Sequence, residues 1–159
     1  MNITIIGVGK IKEKFMQEGI KEYSKRLSRY CKLKIIEVTD ESAPENLSEK
    51  EIEIIKEKEG KRILSKLSNN SYIISLDIKG KNFSSEEFSK KIEDITLGGT
   101  NDITFIIGGS LGLSEEILNK SNFKLSFSKM TFPHQLMRII LLEQIYRGFR
   151  IMKGEPYHK

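Results

Sequence analysis

A single cysteine, Cys31, leaves no partner for an intramolecular disulfide and excludes a cysteine-rich metal site. Proline occurs 3 times and glycine 12 times in 159 residues, too sparsely for a fibrous or low-complexity chain. No apolar run approaches the roughly 20 residues that span a bilayer. Met1–Gly9 has neither a basic leader nor a cleavage site, so no membrane anchor and no signal peptide are expected. The two histidines, His134 and His158, lack the cysteine or carboxylate spacing of a zinc site, and no metal is expected. What remains is the expectation of a reduced, soluble, cytoplasmic protein. Its length and its 38% apolar content fit one domain with a real core, spanning residues 1–159.

Charge is unevenly placed. Residues 1–120 carry 20 basic and 20 acidic side chains, whereas residues 121–159 hold Lys124, Lys129, Arg138, Arg147, Arg150, Lys153 and Lys159 against only Glu143 and Glu155. The whole net charge of +5 therefore sits in the last quarter of the chain. Charge alone leaves three readings open: a polyanionic partner, RNA above all; an anionic small molecule; or a solvated basic helix.

Short apolar runs alternate with helical patterns, without a repeat or a linker. Asn2–Val8, Leu33–Val38, Tyr72–Asp77, Ile103–Gly108 and Phe123–Phe127 read as strands. The middle runs are nearly continuous rather than alternating, which predicts strands buried on both faces of a parallel sheet. Met16, Ile20, Tyr23, Leu27 and Tyr30 form one helical stripe. Ser48-x-x-Glu51 and Ser84-x-x-Glu87 are capping boxes, the second flanked by Phe83 and Phe88 as a hydrophobic staple. The charged run Glu45–Arg62 reads as a solvated helix face. The sum is an α/β domain with helices on both faces. From Leu136 to Phe149, nine of fourteen residues are large and apolar. A helix apolar nearly all round needs a second surface, and another copy of the chain predicts a homodimer.

Ligands of open α/β sheets bind beyond the carboxyl ends of the strands. Three segments belong there: Leu76-Asp77-Ile78-Lys79-Gly80-Lys81, Gly108-Gly109-Ser110-Leu111-Gly112-Leu113, and Ser126 through His134. The second is a glycine loop between strand and helix, a ligand cradle or an ordinary tight turn. It is no Walker A loop, and Gly7-Val8-Gly9-Lys10 does not complete a dinucleotide fingerprint. His134 reads as a structural residue at a helix entry. Pro156-Tyr157-His158 belongs to a free tail able to fold over a site and stack on or hydrogen-bond a base. Glu143 and Arg147, four apart, are either a helical ion pair or a functional pair.

Together these motifs, with Leu125-Ser126-Phe127-Ser128-Lys129-Met130-Thr131-Phe132-Pro133-His134, Glu143-Gln144-Ile145-Tyr146-Arg147 and the terminal Pro156-Tyr157-His158-Lys159, closely resemble the RlmH-type ribosomal RNA methyltransferases of the SPOUT superfamily. The resemblance runs from Met1 to Lys159. Its one mild departure is Gly148, where alanine is expected, at a cost to the helix of up to about 1 kcal/mol.

The resemblance implies a single-domain parallel-sheet SPOUT fold with a C-terminal trefoil knot, a homodimer through the knotted region, and S-adenosylmethionine as cofactor. It implies methylation of N3 of a pseudouridine in the helix 69 loop of 23S rRNA on assembled 70S ribosomes. By motif match the cofactor would meet Leu76, Gly108, Phe127, Ser128, Lys129, Met130, Thr131 and Phe132. The catalytic and RNA side would comprise Glu143, Arg147, Tyr157 and His158, with the tail (residues 152–159) near the active site and supplied by either protomer. His158 or Glu143 would take the N3 proton, and Arg147 would hold a phosphate or developing negative charge. A non-catalytic RNA-binding dimer of the same fold and a flavodoxin-type nucleotide binder are the alternatives.

Overall fold

The apolar runs assemble into one sheet of five parallel strands in the order β2-β1-β4-β3-β5. In the computed structural model, which describes residues 1–159, the elements follow one another as β1 (Asn2–Val8), α1 (Lys14–Leu27), β2 (Lys32–Val38), α2 (Glu49–Leu64), β3 (Tyr72–Asn82), α3 (Ser85–Leu97), β4 (Asp102–Ile107), α4 (Glu115–Lys120), β5 (Phe123–Ser126) and α5 (His134–Met152). Alternate residues of the central strands feed two cores. Ile3, Ile5, Ile74, Phe105 and Ile107 pack with α1, α3 and α5, while Ile6, Val8, Ile73 and Ile106 pack with α2 and α4. Helices therefore cover both faces, as continuous apolar strands require. No helix is long and apolar enough to cross a membrane.

Both capping boxes form: the Ser48 and Ser84 hydroxyls accept from the backbone N–H of Glu51 and Glu87, whose carboxylates reach back. The rings flanking the second box pair with the sheet: Phe83 stacks on Phe123 with centroids 5.1 Å apart, and Phe88 meets Phe105 at 6.1 Å. The stripe on α1 outruns its helix, which ends at Leu27, so Tyr30 belongs to the following turn.

Four expectations need correction. First, β3 extends to Asn82 instead of stopping at Asp77, because Leu125 of β5 lies opposite both Leu76 and Lys81. The residues between them bulge outward, and Gly80 permits the close approach: a Cβ there would lie 2.7 Å from the backbone of Lys124. Second, Arg138 is 2% exposed, so it is no part of a basic surface. Its guanidinium donates to Glu37 at 2.7 Å and to the carbonyls of Val8 and Gly9, across Gly7, where a side chain would displace it. Arg147 and Arg150 likewise pair with Glu143 and Glu155. The C-terminal charge open to solvent is thus carried by Lys124, Lys129, Lys153 and Lys159. Third, the run Glu45–Arg62 is not wholly solvated, since Glu59 is buried and accepts from the Glu41 N–H at 2.9 Å. Fourth, the C-terminal tail is not free. It turns at Gly154 (φ 64°) and is held by hydrogen bonds back to α5 and α3.

On α5, Arg138, Leu141, Leu142, Ile145, Gly148 and Phe149 are buried, while Leu136, Met137, Ile139 and Ile140 remain half-buried. The chain by itself thus leaves part of this helix's apolar surface open.

Candidate active site

A cleft of about 800 Å³ opens where β3, β4 and β5 end. Three loops build it. The bulge after Leu76 contributes Asp77, Ile78 and Lys79; the glycine loop contributes Gly108 through Leu113; and the segment after β5 contributes Ser126, Phe127, Ser128 and Met130 through Pro133. His134 and Met137 of α5, Glu115 and Leu118 of α4 and Lys56 of α2 complete its walls.

Short-range hydrogen bonds fix the loops. Gly109 bridges Gly112, which takes φ 87°, folding the glycine loop back on itself. A Cβ on Gly108 would lie 2.9 Å from the Gly112 carbonyl carbon, so this crossing needs glycine. Ser126 Oγ donates to the Ser128 carbonyl at 3.0 Å, and Ser128 Oγ accepts from the Met130 N–H at 3.0 Å. Met130 is 74% exposed and Phe132 is 37% exposed, an apolar rim without cover. Burial, and then the Arg138 cation, hold the His134 pKa below its ordinary value, so this imidazole is neutral at pH 7.

Seven of the eight residues assigned to the cofactor by motif line this cleft: Leu76, Gly108, Phe127, Ser128, Met130, Thr131 and Phe132. Lys129 does not; it is exposed to solvent beside them. Sequence reasoning missed Met137 and Lys56, which carry no motif, and read His134 as structural only.

The other four residues meet elsewhere. Glu143 Oε1 accepts from Arg147 Nε at 3.0 Å and Nη2 at 2.6 Å, and from the Tyr157 hydroxyl at 3.0 Å. Its Oε2 accepts from Gln144 Nε2 at 2.8 Å, and the side-chain oxygen Oε1 of Gln144 accepts from Ser85 Oγ at 2.7 Å. His158 lies with Nδ1 3.2 Å from Arg147 Nη1 and Nε2 2.7 Å from Glu86 Oε1. The Arg147 guanidinium sits 4.6 Å from the Tyr157 ring centroid, and Tyr157 packs edge-on against Tyr146 at 4.9 Å. Burial and the Glu143 carboxylate push the Tyr157 phenol up to about 12, so it remains a donor at neutral pH. Gln144 and Glu86 join this group without any mark in the sequence beyond their neighbours.

The fold therefore assembles the eight and the four as two separate groups. None of Glu143, Arg147, Tyr157 and His158 lines the cleft, although Gln144 reaches the far side of Leu125, Ser126 and Phe127, which form one of its walls. No cluster of three metal-ligating side chains occurs in the chain.

Residues 1–158 match the family described as "Predicted SPOUT methyltransferase". The chain is 65% identical to ribosomal RNA large subunit methyltransferase H of Clostridium kluyveri, 66% to that of Clostridium botulinum (strain Okra) and 64% to that of Clostridioides difficile. Each alignment covers 159 residues, 100% of both chains. Among solved structures, a probable methylase family protein from Haemophilus influenzae superposes with a TM-score of 0.55 at 13% identity. It covers 99% of this chain and 70% of the other, a likeness of fold alone.

Proposed function

The chain belongs to the SPOUT methyltransferase family, and from that membership we propose that it methylates N3 of a pseudouridine in the helix 69 loop of 23S rRNA, on assembled 70S ribosomes. The coarser activity, S-adenosylmethionine-dependent methylation of large-subunit ribosomal RNA, is that of its full-length relatives.

The cleft fits the cofactor. Leu76, Leu113, Leu125 and Met137 supply apolar walls for an adenosine, and the glycine loop offers backbone groups at close approach. Asp77 and Glu115 offer carboxylates to the cofactor's amino group, and Lys56 and Lys79 offer ammonium groups to its carboxylate. The residues that would hold it are Leu76, Gly108, Phe127, Ser128, Met130, Thr131 and Phe132, with Lys129 adjacent. Bound there, S-adenosylmethionine supplies an electrophilic methyl group.

The protein must orient the uracil ring and remove the N3 proton. Glu143 is a poor proton acceptor because four N–H and O–H donors already converge on its two oxygens. It acts as the anchor that fixes Arg147 and Tyr157. We assign the N3 proton to His158 Nδ1, whose one lone pair accepts from Arg147 Nη1 at 3.2 Å and becomes free when that guanidinium turns to the base. Arg147, aimed at the same point, stabilises the negative charge left on the base.

The observation that carries the wider reading is the separation of the two groups within one protomer. We propose a homodimer in which the tail of one protomer closes over the cleft of its partner. Half-buried Leu136, Ile139 and Ile140 and exposed Met130 and Phe132 supply apolar surface for the contact. We also propose that the C-terminal chain is knotted. Support comes from its course: after β5, at the sheet edge beyond β3, residues 127–133 cross back over the strand ends, so that Arg138 near the start of α5 reaches the end of β1.

The deciding experiment is methyl transfer from labelled S-adenosylmethionine to ribosomes lacking the modification, with free large subunits in parallel and the product nucleoside identified. N3-methylpseudouridine on 70S ribosomes is the expected product. Label on another nucleotide would overturn the target, and cofactor binding without transfer to either particle would overturn the substrate.

A further inference from the structure

The chain has six arginines, and four have their guanidinium ends engaged inside the fold: Arg62 with Thr39 and Glu41, Arg138 with Glu37, Arg147 with Glu143, and Arg150 with Glu155. Arg26 and Arg29 differ. Arg26 gives only Nε to Glu22, at 3.0 Å, and both its terminal nitrogens, Nη1 and Nη2, are without a protein partner. Arg29 is exposed and makes no ion pair or side-chain hydrogen bond.

Both are nevertheless held. The Arg26 guanidinium lies 5.2 Å from the Tyr23 ring centroid and 5.7 Å from that of Tyr146, and Arg29 lies 5.7 Å from Tyr30. These rings form one aromatic run, since Tyr146 packs against Tyr23, Tyr30 and Tyr157 at 6.5, 6.0 and 4.9 Å. The run ends in the tail that carries His158. An exposed arginine on an aromatic face loses little freedom on binding and keeps its outer N–H groups for an anion. The acidic neighbours leave those groups free: Glu22 occupies one edge of Arg26, while Glu155 is taken by Arg150 and Tyr30.

We propose that Arg26 and Arg29, seated on Tyr23, Tyr146 and Tyr30 beside the C-terminal tail, bind phosphates of the ribosomal RNA next to the target nucleotide. The proposal rests on the reading of the tail as the RNA side. The strip extends that surface onto α1 and the turn after it. Guanidinium groups already fixed on rings lose little freedom on meeting a phosphate, and their contribution must weaken with salt.

The test is co-sedimentation of the labelled protein with 70S ribosomes across a salt series, for wild type, Arg26→Gln, Arg29→Gln and Arg26→Lys. Each glutamine variant should bind roughly tenfold more weakly and flatten the slope of log affinity against log salt by about 1. Arg26→Lys should keep the slope while losing part of the affinity. S-adenosylmethionine affinity, as a control on folding, and dimer mass should not change. Wild-type affinity and slope in both glutamine variants would overturn the proposal, and so would dissociation into monomers, which would place the strip between subunits. Sedimentation does not need turnover. A tail that proves dispensable for transfer would therefore strike the catalytic reading, while the salt slopes still decide on Arg26 and Arg29.

Discussion

Arg147 Nη1 lies 3.2 Å from His158 Nδ1, and because a guanidinium can only donate, that ring nitrogen must be the acceptor. The proton of a neutral His158 then sits on Nε2, where it donates to Glu86 at 2.7 Å. Nitrogen-15 spectra of the neutral ring should show the Nε2–H tautomer, and because the Glu86 carboxylate can only accept, it takes Arg147→Ala together with Glu86→Ala to return the ring to a mixture. His158→Ala should keep cofactor affinity and slow transfer by about 10²- to 10⁴-fold, the range for a lost general base. Unchanged turnover would remove the tail from the chemistry.

Gly108→Arg should abolish S-adenosylmethionine binding, because even a Cβ there collides with the Gly112 backbone and the longer side chain has only the cleft to enter. Calorimetric titration checks this directly. Mixing inactive Gly108→Arg with inactive His158→Ala then tests whether a site is shared. If the tail serves its partner's cleft, random reassortment restores about a quarter of the sites, all in mixed dimers. A site complete within one protomer would regain nothing.

Gly148→Ala should stabilise the protein by up to about 1 kcal/mol. The residue lies inside α5 against α3, where its carbonyl accepts from Ser89 Oγ at 2.8 Å. A Cβ there would find its nearest neighbours, Ser89 Cα and Cβ, at 3.7 and 3.8 Å, ordinary contact distances. The methyl group would reduce unfolded-chain freedom without displacing anything. Thermal unfolding should show the higher midpoint, and a lower one would mean that α3 and α5 cannot keep their spacing.

Elements that follow from local pattern were legible in the sequence. Strand positions, both capping boxes and the two-sided burial of the sheet depend on residues close together in the chain. What escaped depends on contacts over long separations. Arg138 looked like surface charge because nothing near it announces Glu37 or the bare backbone at Gly7. The bulge at Asp77–Gly80 is set by Leu125 on another strand. The tail looked free because its partners, Glu143, Arg150 and Glu86, lie on α5 and α3. The motif residues were identifiable as two groups, but their separation within the chain is a property of the fold.

Glu59 offers a test of the ground beneath the cleft. Its carboxylate is buried under the glycine loop, with Oε1 3.3 Å from where a Cβ on Gly109 would stand. Burial raises its pKa above the ordinary glutamate value, the Glu41 N–H opposes that shift, and Asp40 adds to it. The folded state therefore binds the proton more tightly than the unfolded chain does. Stability from this group is complete below the ordinary glutamate pKa and is lost as pH rises through the higher folded value. Glu59→Gln keeps an oxygen to accept from Glu41 and removes the titration. The difference in melting temperature, variant minus wild type, should thus be more favourable to the variant at pH 7 than at pH 4. The opposite trend would mean that the ionised carboxylate is the form that the fold prefers, and that Glu59 holds the loop as a charge rather than as a neutral acid.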